Sequence, residues 1–331
     1  MMPMAFEAEL FDIPICYQEP QAVIPTSGNN FQACSIDMLN HGLPDHSELT
    51  RMASLLARIR PRTLTFTKIS DALLSPRDIE QVFHETSLDH LSRLSIRWQG
   101  EDSGDALCYL LSCCAKSLTS LKLGVSHPFT ATEELKELVW TSLECLEYEV
   151  SHSLDSQASR EWYINYIVAN APSLSRLYLS GSETSERITK AYVRLFDFFG
   201  GKLGHLKLSL PAYAQLIKAA KPVLCPSVTI LQVDADYYYG YLSSSNLHEI
   251  FPLLVYLQMH TVPGRFLGEF VENLQKPDFL PRLHSLDLLV CYHRTDEMEF
   301  MKDIPRLRSA LDARGMRSKV ETVVYRSIAE Y

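Results

Sequence analysis

The sequence predicts an α/β solenoid, with a concave parallel sheet and convex helices, built from about 10–11 irregular repeats. Three observations lead there. A Leu-x-x-Leu-x-Leu spacing, clearest in Leu118-Thr-Ser-Leu-Lys-Leu123, returns every 25 to 37 residues. Each return is short and alternates apolar with polar residues, as a half-buried strand does. Between returns the apolar spacing lengthens to that of a helix with one buried stripe. A strand with one apolar face and a helix with one apolar stripe can cover each other, and stacking the units buries a continuous core.

Residues 1–30 precede the first motif. Pro3, Pro14, Pro20 and Pro25 are too closely spaced for a helix. Phe6, Leu10, Phe11, Ile13 and Ile15 are too apolar for a solvated tail, so this segment reads as an irregular N-terminal cap. Residues 31–331 form the repeat domain. First, fourth and sixth motif positions run Phe31/Cys34/Ile36, Pro61/Leu64/Phe66, Leu91/Leu94/Ile96, Leu118/Leu121/Leu123, Leu143/Leu146/Tyr148 and Leu174/Leu177/Leu179. They continue as Leu203/Leu206/Leu208, Val228/Leu231/Val233, Leu254/Leu257/Met259, Leu283/Leu286/Leu288 and Val320/Val323/Tyr325.

The intervening segments carry the helical period. Leu107, Leu110, Leu111 and Cys114 stand at i, i+3, i+4 and i+7, and Tyr192/Leu195/Phe196/Phe199, Tyr213/Leu216/Ile217/Ala220 and Leu267/Phe270/Val271/Leu274 repeat that spacing. Leu135/Leu138/Val139 and Ile164/Ile167/Val168 predict shorter helices, and Leu49, Met52, Ala53 and Leu56 another. Gly200-Gly-Lys-Leu-Gly204 runs from a helix into a strand. That is the wrong polarity for a phosphate loop, whose anion meets a helix N-terminus, so a glycine cap at the helix C-terminus is the better reading.

Composition narrows the function classes. The net charge of −9 argues against a phosphate-backbone partner, which needs a clustered basic surface, so no nucleic acid is expected. No apolar run reaches the roughly 18 residues of a membrane span, and the first twenty residues lack the basic start of a signal peptide. Eight scattered cysteines without a Cys-x-x-Cys pair fit a reducing compartment, cytoplasmic or nuclear, with Cys34, Cys145 and Cys225 packed as small apolar groups. No Gly-x-Ser-x-Gly, His-Glu-x-x-His or paired-cysteine spacing occurs, so no catalytic, cofactor or metal residues are assigned.

Phrases such as His90-Leu-Ser-Arg-Leu-Ser-Ile96 and Pro172-Ser-Leu-Ser-Arg-Leu-Tyr-Leu179 resemble the leucine-rich repeats of the ribonuclease-inhibitor-like kind, in particular the irregular repeats of fungal F-box proteins. The resemblance spans about residues 31 to 326 and implies a leucine-rich repeat solenoid, or horseshoe. It departs at the ninth position, where Asn or Cys usually ties the turn. Gln99, Ser126, Ser151, Ser182, Pro211, Asp236 and Val262 stand there, and only Cys291 fits. An F-box is not visible: after Leu43-Pro-Asp45, the segment from Ser54 to Pro61 runs straight into a motif strand. By resemblance the chain is a non-enzymatic substrate-recognition subunit of a cullin-type ubiquitin ligase, with the ligase adaptor as a second partner. An activator of a small GTPase is the alternative, on architecture alone.

The residues between motif leucines face the open side of the sheet and choose the partner. Ser95, Lys122, Glu147, Tyr178, Lys207, Gln232, Gln258 and Asp287 form one row, and Arg97, Gly124, Glu149, Ser180, Ser209, Asp234, His260 and Leu289 the next. Their mixed polarity suits a protein. Beyond the strands, Tyr237, Tyr238, Tyr239 and Tyr241 crowd one loop, and Trp98, His127-Pro-Phe129, His152 and Tyr292-His-Arg294 hold equivalent places. Tyrosine and tryptophan concentrate in interface hot spots, which predicts an aromatic rim. Packing against neighbouring loops, in place of the missing Asn ties, is the other reading. The candidate partner-binding set is Arg97, Trp98, Lys122, Glu147, Tyr178, Lys207, Tyr237, Tyr238, Tyr239, Tyr241, His260, Tyr292 and Arg294.

Overall fold

The fourth motif position sets the register of a parallel sheet. In a computed structural model the residues described are 14–15, 33–37, 54, 56–57, 60–69, 88–98, 105–125, 136–150, 163–181, 195–197, 199–209, 213–214, 216–217, 224–234, 243–244, 246–262, 264–293 and 302–325. They belong to two units, Met1–Ser173 and Leu174–Tyr331, each an α/β arrangement of parallel strands taken in chain order.

The first unit holds β1 (Pro14–Ile15), β2 (Ala33–Asp37), β3 (Thr63–Ile69), β4 (Arg93–Trp98), β5 (Ser120–Val125) and β6 (Cys145–Val150). Cys34, Leu64, Leu94, Leu121 and Leu146 are consecutive partners across it. Within the predicted cap, Pro14 and Ile15 form the short β1, which pairs with Ser35 and Ile36. The second unit holds β7 (Arg176–Gly181), β8 (His205–Ser209), β9 (Ile230–Asp234), β10 (Tyr256–Val262), β11 (Ser285–His293) and β12 (Arg317–Tyr325). Leu177, Leu206, Leu231, Leu257 and Leu286 align in the same way. Leu64, Leu94, Leu121 and Leu146, with the five leucines of the second unit, are at most 2% exposed. Each such burial contributes roughly 1.5–3 kcal/mol.

Helical stripes supply the other half of each core. Helix α1 (Asp105–Cys114) buries Leu107, Leu110, Leu111 and Cys114, and α2 (Tyr163–Ala169) buries Ile167 and Val168. In the second unit Leu195, Phe196, Tyr213, Leu216 and Ile217 are helical and buried. The short α3 (Leu247–Ile250) adds Leu247 and Ile250. On α4 (Gly264–Leu274) the rings of Phe266 and Phe270 stack at 5.5 Å, and Phe279 meets Phe270 edge-on at 5.9 Å. Leu56 is helical and fully buried, as its predicted helix requires.

Two local expectations fail. Lys136 is helical, but the helix ends there, so Leu138 and Val139 lie outside it; Val139 is 51% exposed while Trp140 is buried. The last motif is offset. Ser318, not Val323, lies opposite Leu286, and Val320 lies opposite Leu288, so the interval from the previous repeat is 318 − 286 = 32 residues. The cause is α5 (Asp303–Ala313), a further helix whose buried stripe is Ile304, Leu307 and Leu311. Gly315, at φ +63°, ends it in the left-handed conformation, Met316 is buried, and β12 starts at once.

Gly200 does close a helix, but not through a left-handed conformation. A Cβ there would lie 2.6 Å from the Leu224 carbonyl oxygen and 2.7 Å from that of Phe196, so close approach of the backbone is what requires glycine. Beneath it, burial pushes the Cys225 thiol up to about 12, leaving it an inert packing group.

Among the described residues, neighbouring repeats are tied upstream of their strands. In the first unit the carbonyl two residues before the fourth position of β3, β4 and β5 accepts two successive N–H groups of the next repeat: Arg62 from Ser92 and Arg93, Ser92 from Thr119 and Ser120, Thr119 from Glu144 and Cys145. Ser175, Gly204, Thr229 and Val255 repeat the pattern in the second unit. Hydroxyls reinforce it, with Ser92 Oγ donating to the Arg62 carbonyl at 3.0 Å, Thr119 Oγ1 to Ser92 at 3.0 Å and Thr229 Oγ1 to Gly204 at 3.2 Å. A bifurcated acceptor of this kind satisfies two backbone donors at the entry to the next strand.

Candidate functional site

Alternation along each strand sends fourth and sixth residues to the core and leaves third, fifth and seventh residues on the opposite face. Among the described residues, that face carries most of the side-chain to side-chain polar contacts that join neighbouring strands.

In the first unit it holds two ion pairs on successive register lines. Lys122 Nζ lies 2.6 Å from Glu147 Oε1 on the adjacent strand. Arg97 Nη2 lies 3.2 Å from Glu149 Oε1, two strands away. Arg97, Gly124 and Glu149 share one register line, and the absent side chain at Gly124 opens the path between the two charged groups. Both pairs are half-exposed, so each contributes about 0–1 kcal/mol and chiefly holds its side chains in place. The acidic run of Glu147 and Glu149 is therefore neutralised.

The second unit carries a longer chain of bonds with a single direction. Tyr178 O–H donates to His205 Nδ1 at 3.3 Å, and the two rings meet edge-on at 5.0 Å. His205 Nε2–H donates to Gln232 Oε1 at 2.9 Å, and Gln232 Nε2–H donates to Gln258 Oε1. The Gln258 amide then donates to His260 Nε2 at 2.9 Å and toward Asp287 Oδ2 at 3.5 Å. His260 Nδ1–H closes on Asp234 Oδ1 at 3.1 Å, and Lys207 Nζ holds the other carboxylate oxygen at 2.5 Å. Each group has the one role its neighbour permits, which specifies both imidazole tautomers and both glutamine orientations.

His205 is the weak link with respect to pH. Burial holds its imidazole below the ordinary value of 6.5, and the nearby Arg176 and Lys207 charges push the same way, against the Gln232 hydrogen bond. Folding thus favours the neutral ring, so its stabilising contribution is complete above about pH 6.5 and is lost as pH falls through the lower folded value. Chemical denaturation between pH 8 and 5 should show the wild type losing stability more steeply than His205→Gln. Parallel profiles would refute this role for the ring.

The candidate residues distribute unevenly. Arg97, Lys122 and Glu147 lie on the polar strand face of the first unit, Tyr178, Lys207 and His260 on that of the second, and all join the contacts above. Trp98 does not. It is the last residue of β4, lies in register with Val125 and is 1% exposed, because the alternation Leu94, Ile96, Trp98 continues one step past the motif into the core. Tyr292 is not on a loop either: it pairs with Val324 inside β11, which runs to His293. Tyr237, Tyr238, Tyr239, Tyr241 and Arg294 lie outside the described residues, as do His127, Phe129 and His152. Glu149, Gln232, Asp234, Gln258 and Asp287 join these contacts from the two predicted rows without belonging to the candidate set, and His205 joins them from outside both rows. Its third position shares the exposed parity of the fifth and seventh, a signal visible in the sequence.

Among the described residues no group of three or more His, Cys, Asp or Glu side chains is placed to hold a metal ion. No described helix is long and apolar enough to cross a membrane. No protein-family model matches the chain, and no curated protein matches it significantly.

Proposed function

We propose that the chain is a leucine-rich repeat solenoid acting as a non-enzymatic interaction scaffold, which binds a protein partner on the polar strand face and the adjoining loops. The observation that carries this reading is the directional chain from Tyr178 to Asp287. Its members come from five consecutive strands and are held by one another rather than by the core. Preordered polar side chains lose little conformational freedom on binding, and a partner that fails to match their donors and acceptors leaves them unpaired. Such a surface favours specificity over reactivity. The resemblance to fungal F-box repeats supports substrate recognition for a cullin-type ubiquitin ligase as the specific form of this activity.

Affinity purification with mass spectrometry tests both levels. Wild-type chain should recover a defined protein partner, together with a cullin adaptor if the specific form is right. Gln232→Ala/Gln258→Ala, which interrupts the chain at its centre while leaving the buried leucines intact, should lower partner recovery about tenfold or more. Equal recovery by wild type and a folded double variant would remove this face from the binding surface.

A further inference from the structure

At the third motif position one register line crosses strands β7 to β12 of the second unit: Arg176, His205, Ile230, Tyr256, Ser285 and Arg317. Both arginines are exposed, and the four residues between them are half-exposed. The line has a chemical pattern. A guanidinium stands at each end, Ile230 and Tyr256 are direct register partners at the centre, and no acid interrupts it. The rows beyond it differ. The fifth positions mix Lys207 and Lys319 with Asp287, and the seventh positions carry Asp234 and Glu321 with no lysine or arginine. Formal charge therefore falls from positive where the strands enter the face to negative where they leave it.

We propose, on the reading that the polar strand face of the second unit binds the partner, that this line receives an extended acidic segment of that protein, laid across the strands. Adjacent strands lie about 4.8 Å apart, so five steps separate Arg176 from Arg317 by about 24 Å, the span of about seven extended residues. The segment thus carries acidic residues about seven positions apart with an apolar residue between them. Its carboxylates meet the two guanidiniums, whose planar forks suit bidentate pairing. Its apolar centre covers Ile230 and Tyr256, a hydrophobic step on an otherwise polar face. Asp234 and Glu321 repel the same segment and so confine it to the entry side. A nucleic-acid strand would meet only two arginines over that distance, on a chain of net charge −9.

The test pans a random peptide library displayed on phage against the full 331-residue chain. Enriched peptides should carry the acidic–apolar–acidic pattern, and their binding, read by fluorescence anisotropy, should weaken as sodium chloride rises. Arg176→Glu, Arg317→Glu and Ile230→Ser should each weaken it about tenfold, with circular dichroism unchanged. A peptide with lysine in place of each acid should bind Arg176→Glu/Arg317→Glu better than it binds wild type. Failure to enrich any peptide, or enriched peptides without acids, would overturn the acidic-segment assignment. Peptides that depend on Gln232 and Gln258 but on neither arginine would overturn that assignment and leave the face as the binding surface. Peptides indifferent to both pairs would overturn the face reading as well.

Discussion

Leu121→Ala should destabilise the protein by about 2–5 kcal/mol, read as a lowered midpoint in chemical denaturation. Leu121 is fully buried, and its register neighbours Leu94 and Leu146 are buried with it. Removing three methylene-equivalent groups there leaves a void between two strands whose spacing is fixed by backbone hydrogen bonds, so the site cannot collapse to fill it. Lys122→Ala is the matched control. It removes one partner of a half-exposed ion pair on the neighbouring residue and should change stability by about 1 kcal/mol or less. If the two substitutions had equal effects, the assignment of core and open faces would be wrong.

Trp98→Ala is expected to cost about 3–5 kcal/mol, more than a surface aromatic could. Its side chain is among the largest fully buried ones, and its indole N–H has no hydrogen-bond partner among the described residues. That second fact sets the behaviour of Trp98→Phe. Phenylalanine leaves a smaller void than alanine and discards a buried donor that costs about 1–3 kcal/mol unpaired, so most of the lost stability should return. A Trp98→Ala variant with wild-type stability and reduced partner recovery would restore the rim position predicted from its place after the motif.

These two sites mark where pattern reading succeeds and where it stops. The registers through Leu94, Leu121 and Leu146 and through Leu206, Leu231 and Leu257 follow from spacing, because period two allows one pairing that buries every leucine at once. Trp98 departs from the expected rim because the alternation of β4 runs one step past the end of the motif. The final repeat departs from its expected register for a related reason. Val320, Val323 and Tyr325 match the spacing, but the chain enters β12 where α5 ends at Gly315, and a helix terminus outweighs a partial motif match.

By itself the sequence determined the parallel α/β repeat, the buried row and the polar parity of the third, fifth and seventh positions. Burial is dictated by local periodicity, and local periodicity is written along the chain. Only the tertiary structure decided which polar groups meet. Arg97 reaches Glu149 across Gly124, and Tyr178 connects to Asp287 through His205, Gln232 and Gln258. Those partners lie 25 or more residues apart in the sequence. Their meeting depends on register, side-chain length and the direction of each donor, none of which a spacing records.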